Sequence, residues 1–89
     1  MEIKTGKTAY YFPYVWNLKK FIKLHQNELV GQEELLQHYK LYGMRCFNFY
    51  SHRNGVFTWA CNDMEEYIDY GYTFITIMDN MESDGRARI

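Results

Sequence analysis

The chain has 89 residues, 47% of them apolar and 19% aromatic, with a formal net charge of −1. That length gives one domain with a core of its own, and so much large apolar surface excludes a disordered chain. No apolar run approaches the ~20 residues of a membrane helix, and the polar start lacks the apolar core of a secretory signal, so a cytoplasmic protein is expected.

The charge is uneven along the chain. Residues 1–55 hold eight Lys and Arg against four Glu, and residues 56–89 hold two Arg against seven Asp and Glu. The simpler reading is two halves that face and neutralise each other. The alternative is two separate electrostatic faces that steer partners.

Residues 1–9 are polar and broken by Gly6, which reads as a tether or a short edge strand; whether residues 1–12 add a strand to the sheet stays open. Tyr10-Tyr11-Phe12 is β-prone, but Pro13 cannot donate to a ladder and argues against a central strand. Pro13 suits the start of a helix over residues 13–27. Tyr14, Val15, Leu18, Phe21, Ile22 and His25 recur at helical steps, with Asn17, Lys19, Lys20, Lys23 and Gln26 opposite them. Leu29 and Val30 read as apolar anchors of the next connection.

A second helix is predicted over residues 32–42. Leu35, Leu36, Tyr39 and Tyr42 form its stripe, Glu33 and Glu34 favour the dipole of its first turn, and Gly43 terminates it. Strands at 44–50 and 56–62 follow, joined at Asn54-Gly55. A two-residue loop would pair Phe49 with Ala60 and Asn48 with Cys61. A three-residue loop Arg53-Asn54-Gly55, with Gly55 left-handed, pairs His52 with Val56, Phe49 with Trp59, Phe47 with Cys61 and Arg45 with Asp63. Only the second gathers Phe47, Phe49, Phe57, Trp59 and Cys61 on one buried face, so it is the register expected. Cys46 then points away from Cys61, which disfavours a disulfide.

Asn62-Asp63-Met64-Glu65 reads as the cap of a short helix with Met64, Tyr67 and Ile68 inward and Gly71 at its end. The run 72–78 is β-branched and aromatic on both faces, as in the middle of a sheet. The expected fold is α+β: a three-stranded antiparallel sheet (the hairpin 44–62 and strand 72–78) with two to three helices packed mainly on one face. The domain is expected to end near residue 80, with 81–89 a flexible tail.

Catalytic and metal signatures are weak. His25, His38, Cys46, His52 and Cys61 are scattered and lack paired zinc spacing, so neither a metal nor another cofactor is expected. Cys46 and His52 lie six residues apart in extended chain, roughly 20 Å at about 3.3 Å per residue, too far for a nucleophile and its base. Gly6-Lys7-Thr8 lacks the rest of a phosphate loop. Asp63, Glu65, Glu66 and Asp69 form an acidic face that reads as solvated helix surface.

Two binding functions stay in contention. The aromatic content exceeds what so small a core can bury, and Tyr and Trp dominate interface hot spots, which makes Trp16 and Tyr14 candidate contacts for a protein partner. Lys19, Lys20 and Lys23, with Lys4 and Lys7 upstream, would serve nucleic-acid binding instead. Short chains rich in Tyr, Asn, Lys and Met and poor in Ala and Pro are common among phage and mobile-element proteins, many of which bind and block a host macromolecule. The expectation is a non-enzymatic inhibitor or regulator that binds protein, with homodimerisation open and no membrane partner.

Overall fold

The computed structural model describes Ile3 and residues 6–78. In chain order the elements are β1 (Thr8–Tyr11), α1 (Val15–Leu24), α2 (Gln32–Tyr42), β2 (Cys46–Ser51), β3 (Phe57–Cys61), α3 (Met64–Asp69) and β4 (Thr73–Thr76). They form an α+β domain around a four-stranded mixed sheet of order β3-β2-β1-β4.

The hairpin has the three-residue loop. Gly55 takes φ +79°, His52 N donates to Val56 O at 2.7 Å, and Gly55 N donates to His52 O at 3.0 Å. Phe47 pairs with Cys61 and Phe49 with Trp59. The ladder stops there, so the expected pairing of Arg45 with Asp63 does not form. Arg45 O is taken instead by Phe12 N, at 2.9 Å.

Three features depart from the three-stranded antiparallel sheet. The segment before Pro13 is β1, and it lies in the centre of the sheet, antiparallel to β2 and parallel to β4. Pro13 does not prevent this, because the ladder needs no donor beyond Phe12 N. The strand that reads as central, β4, is an edge. Finally, α3 carries the chain from β3 to β4, at the opposite edge, and packs on the other face of the sheet from α1 and α2.

The two layers are distinct. Tyr10, Phe12, Phe47 and Phe49 of the sheet meet Leu18, Phe21 and Ile22 of α1 and Leu35 and Tyr39 of α2. The rings of Tyr10, Phe12 and Phe49 surround Phe21 at centroid distances of 5.2–5.4 Å. On the far face Ala9 and Cys46 bury against Tyr67 of α3, flanked by Tyr11, Tyr72 and Phe74. Cys46 and Cys61 are free thiols on opposite faces.

Several local expectations shift. The first helix is shorter than 13–27, with Tyr14 as its extended N-cap and His25 as its C-cap. Asn17, placed on the outer side by periodicity, is buried, while His25 is buried on the face expected of it. Leu29 is buried while Val30 is exposed. Helix α2 has the predicted bounds and ends at left-handed Gly43, but Tyr42 is exposed. The cap of α3 is Asp63, without a side-chain cap hydrogen bond, and only Tyr67 of its expected inward face is buried. Trp59 points to the expected face but is half-buried, because β3 is an edge. The expected tail 81–89 lies outside the described residues.

Candidate protein-interaction face

The entry to α1 presents two large rings to solvent. Pro13, its own φ fixed by the ring, leads into the bend, and the helix begins only at Val15. Tyr14 remains extended at φ −130°, ψ 148°, while its carbonyl accepts from Asn17 N at 3.1 Å. That geometry brings the Tyr14 ring alongside Trp16 in the first turn. The rings stack with centroids 4.5 Å apart and planes within 3°. Tyr14 is 46% exposed and Trp16 50%.

Counting from Trp16, Lys19, Lys20 and Lys23 follow at i+3, i+4 and i+7, which sets them on one helical stripe. All three are exposed, and Lys23 lies in the last turn, where the helix dipole favours a cation. Both predicted sets, the aromatic pair and the lysines, therefore occupy one continuous surface. Lys7 does not join it: its Nζ donates to Tyr70 O at 3.0 Å, beside the end of α3. Lys4 lies outside the described residues.

Asp63, Glu65, Glu66 and Asp69 are exposed around an open depression on α3. Since α3 and α1 cover opposite faces of the sheet, these carboxylates lie across it from Lys19, Lys20 and Lys23.

A polar cleft of about 280 Å³ opens where β1, β2 and the start of α3 meet, lined by Tyr11, Met44, Arg45, Cys46 and Asp63 among others. Its thiol is inert. Burial, helped by the nearby Asp63 charge, pushes the Cys46 pKa up to about 11, so the thiolate is scarce at neutral pH. Arg45 is held over the Tyr39 ring, 4.9 Å from its centroid.

The histidines serve local structure. His25 Nδ1 is 2.8 Å from Glu28 Oε1, and its ring lies 4.6 Å from that of Phe21. His38 Nδ1 donates to Glu34 O at 2.9 Å, and His52 Nε2 is 3.3 Å from Thr58 Oγ1. Among the described residues no group of three His, Cys, Asp or Glu side chains is placed to hold a metal ion. No helix among them is long and apolar enough to cross a membrane.

Sequence reasoning missed two polar anchors. Tyr67 Oη donates to Asn48 Oδ1 at 2.9 Å and approaches Ala60 O at 3.1 Å, and Tyr39 Oη donates to Phe12 O at 2.8 Å. The signal for the first was present: Asn48 is a polar residue set between Phe47 and Phe49. Comparison with known protein families, with curated proteins and with solved structures finds no match.

Proposed function

We propose that the protein is a non-enzymatic binding module, an inhibitor or regulator that engages a partner protein through Tyr14 and Trp16. The stacked, half-exposed pair carries this reading. Each ring holds the other in place, so little side-chain freedom is lost when a partner covers them, and amphipathic rings of this kind anchor hot spots. Lys19, Lys20 and Lys23 extend the anchor along the helix and suit a partner with carboxylates beside its pocket.

The shared stripe of Trp16 and the lysines also supports a second reading, single-stranded nucleic acid, with a base stacked on Trp16 and phosphates on the lysines. The stacked pair favours protein, because each ring already spends one face on the other.

Capture from cell lysate with and without nuclease, at low and high salt, separates the two. A protein interface should survive nuclease, and Trp16→Ala should weaken it by about 2 kcal/mol or more, roughly thirtyfold. A nucleic-acid interface should vanish with nuclease and show a log–log salt slope near −2 for three phosphate contacts. Unchanged capture by Trp16→Ala refutes the proposed anchor.

A further inference from the structure

Among the described residues, nothing pairs with the outer side of β4. In its parallel pairing with β1, Thr73 lies beside Thr8 and Ile75 beside Tyr10. Thr73 N donates to Lys7 O at 3.0 Å, and Ile77 N donates to Tyr11 O at 2.8 Å. In a parallel strand a residue sends its N–H and C=O to the same side, and successive residues alternate. Thr73, Ile75 and Ile77 therefore face β1, while Phe74 and Thr76 aim their backbone groups away from the sheet.

Sheets blunt such an edge with charge, proline, a bulge or a covering segment. Residues 70–78 contain no charge and no proline. The pairing with β1 also runs from Thr73 to Thr76 without a bulge. The opposite edge is treated differently. On β3, Phe57 N donates to Glu28 O and Phe57 O accepts from Val30 N, so the connection ahead of α2 covers that end. Trp59 Nε1 then donates to Gly31 O at 3.0 Å.

Both apolar layers run out at β4. Phe74 packs in the α3-side cluster and Ile75 against the larger core, and both are only half-buried. A strand that completed them would bring apolar side chains to both faces and no charge. β4 itself has that character.

We propose that β4 pairs antiparallel with the β4 of a second copy, joining two four-stranded sheets into one across a twofold axis. Centred on Ile75, the pairing sets the outward groups of Phe74 against those of Thr76 from the other copy and stacks Ile75 on its own counterpart. A twofold contact is self-complementary and closes at two copies. Strands this short bury less than about 1,000 Å², the range of transient association. The contact uses neither Tyr14 nor Trp16 and stands apart from the function proposed above.

The test is sedimentation equilibrium of the full chain over a concentration series, with residue-resolved amide exchange at each end of it. The mass should rise toward two copies and no further, regardless of salt, while exchange at Phe74 and Thr76 slows about tenfold or more. Thr76→Pro removes an outward donor and spares the bonds to β1, so it should keep the chain at one copy. Thr73→Lys, on an exposed side chain, should weaken association without proline's backbone constraint. A mass that stays at one copy, or that passes two, overturns the proposal. So does association that leaves Phe74 and Thr76 exchanging rapidly, or slow exchange at the lowest concentration, which would mean that the edge is already occupied within the chain. Association lost at high salt would point to the α1 lysines against the α3 carboxylates and overturns it too.

Discussion

Replacing Tyr67 by Phe should cost more than its single oxygen suggests. Tyr67 is buried, and its hydroxyl lies 2.9 Å from Asn48 Oδ1 and 3.1 Å from Ala60 O, both acceptors of its proton. Burial pushes its pKa well up, so the donor stays protonated at any ordinary pH. Asn48 is fully buried, and its Nδ2 already has no hydrogen-bond partner among the described residues. Tyr67→Phe therefore strands the whole Asn48 amide in an apolar layer. Leaving such a group unsatisfied costs about 1–3 kcal/mol. For a chain of this size that lowers Tm by about 4–8 °C per kcal/mol. Asn48→Leu should cost less, since the Tyr67 hydroxyl keeps the Ala60 carbonyl and a stranded Nδ2 disappears. The double variant removes donor and acceptor together, and should be no less stable than Tyr67→Phe alone. Urea unfolding of all four proteins, compared at constant m-value, reads the cycle directly. Additive losses, or a neutral Tyr67→Phe, would refute the reasoning.

Two further outcomes are expected from the sheet. Trp59→Ala should destabilise by about 2–3 kcal/mol, below the ~3–5 of a fully buried ring, because the indole is half-buried on an edge strand. Trp59→Phe should recover most of that except the bond to Gly31 O, and thermal melts of the pair check it. Cys46 gives a pH signature. Its folded pKa of about 11 lies above the ordinary thiol value of 9.0, so its contribution is fully present below pH 9 and is lost as pH rises toward 11. Stability should fall across that window, and Cys46→Ala should flatten the fall in a pH series of urea melts; an identical slope in both proteins would count against it.

The hairpin was legible because its register is over-determined. A one-residue slip would move the whole apolar set to the other face, and left-handed Gly55 without a left-handed Asn54 is the mark of the three-residue loop. Helix α2 was legible for a similar reason, since carboxylates at one end and Gly43 at the other mark its bounds. The sheet order was not. Pro13 suggested an edge, but proline restricts only the residues whose N–H must pair, and β1 ends before it. The better signal was Ala9 to Phe12, uncharged on both faces as a central strand must be. The same signal misled at β4, whose two faces are apolar because α3 covers one and the main core the other, not because strands flank it on both sides.

For the interaction face, periodicity reached Trp16 and the lysines but not the geometry that gives them meaning. Spacing alone sets Trp16, Lys19, Lys20 and Lys23 on one stripe, and the helix obeys it. Tyr14 escaped the pattern because it stands one residue outside the helix. Read as a helical position it shares the inward face of Leu18 and Phe21. As an extended N-cap it swings out to stack on Trp16. Pro13, directly before it, has its φ fixed by the ring. A change at Pro13 that let the helix start earlier would draw Tyr14 toward the core side and unstack the pair, leaving Trp16 without its neighbour. Partner capture should then fall with Pro13→Ala although no residue of the proposed contact has changed, and capture indifferent to Pro13 would show that the stacked arrangement does not matter for binding.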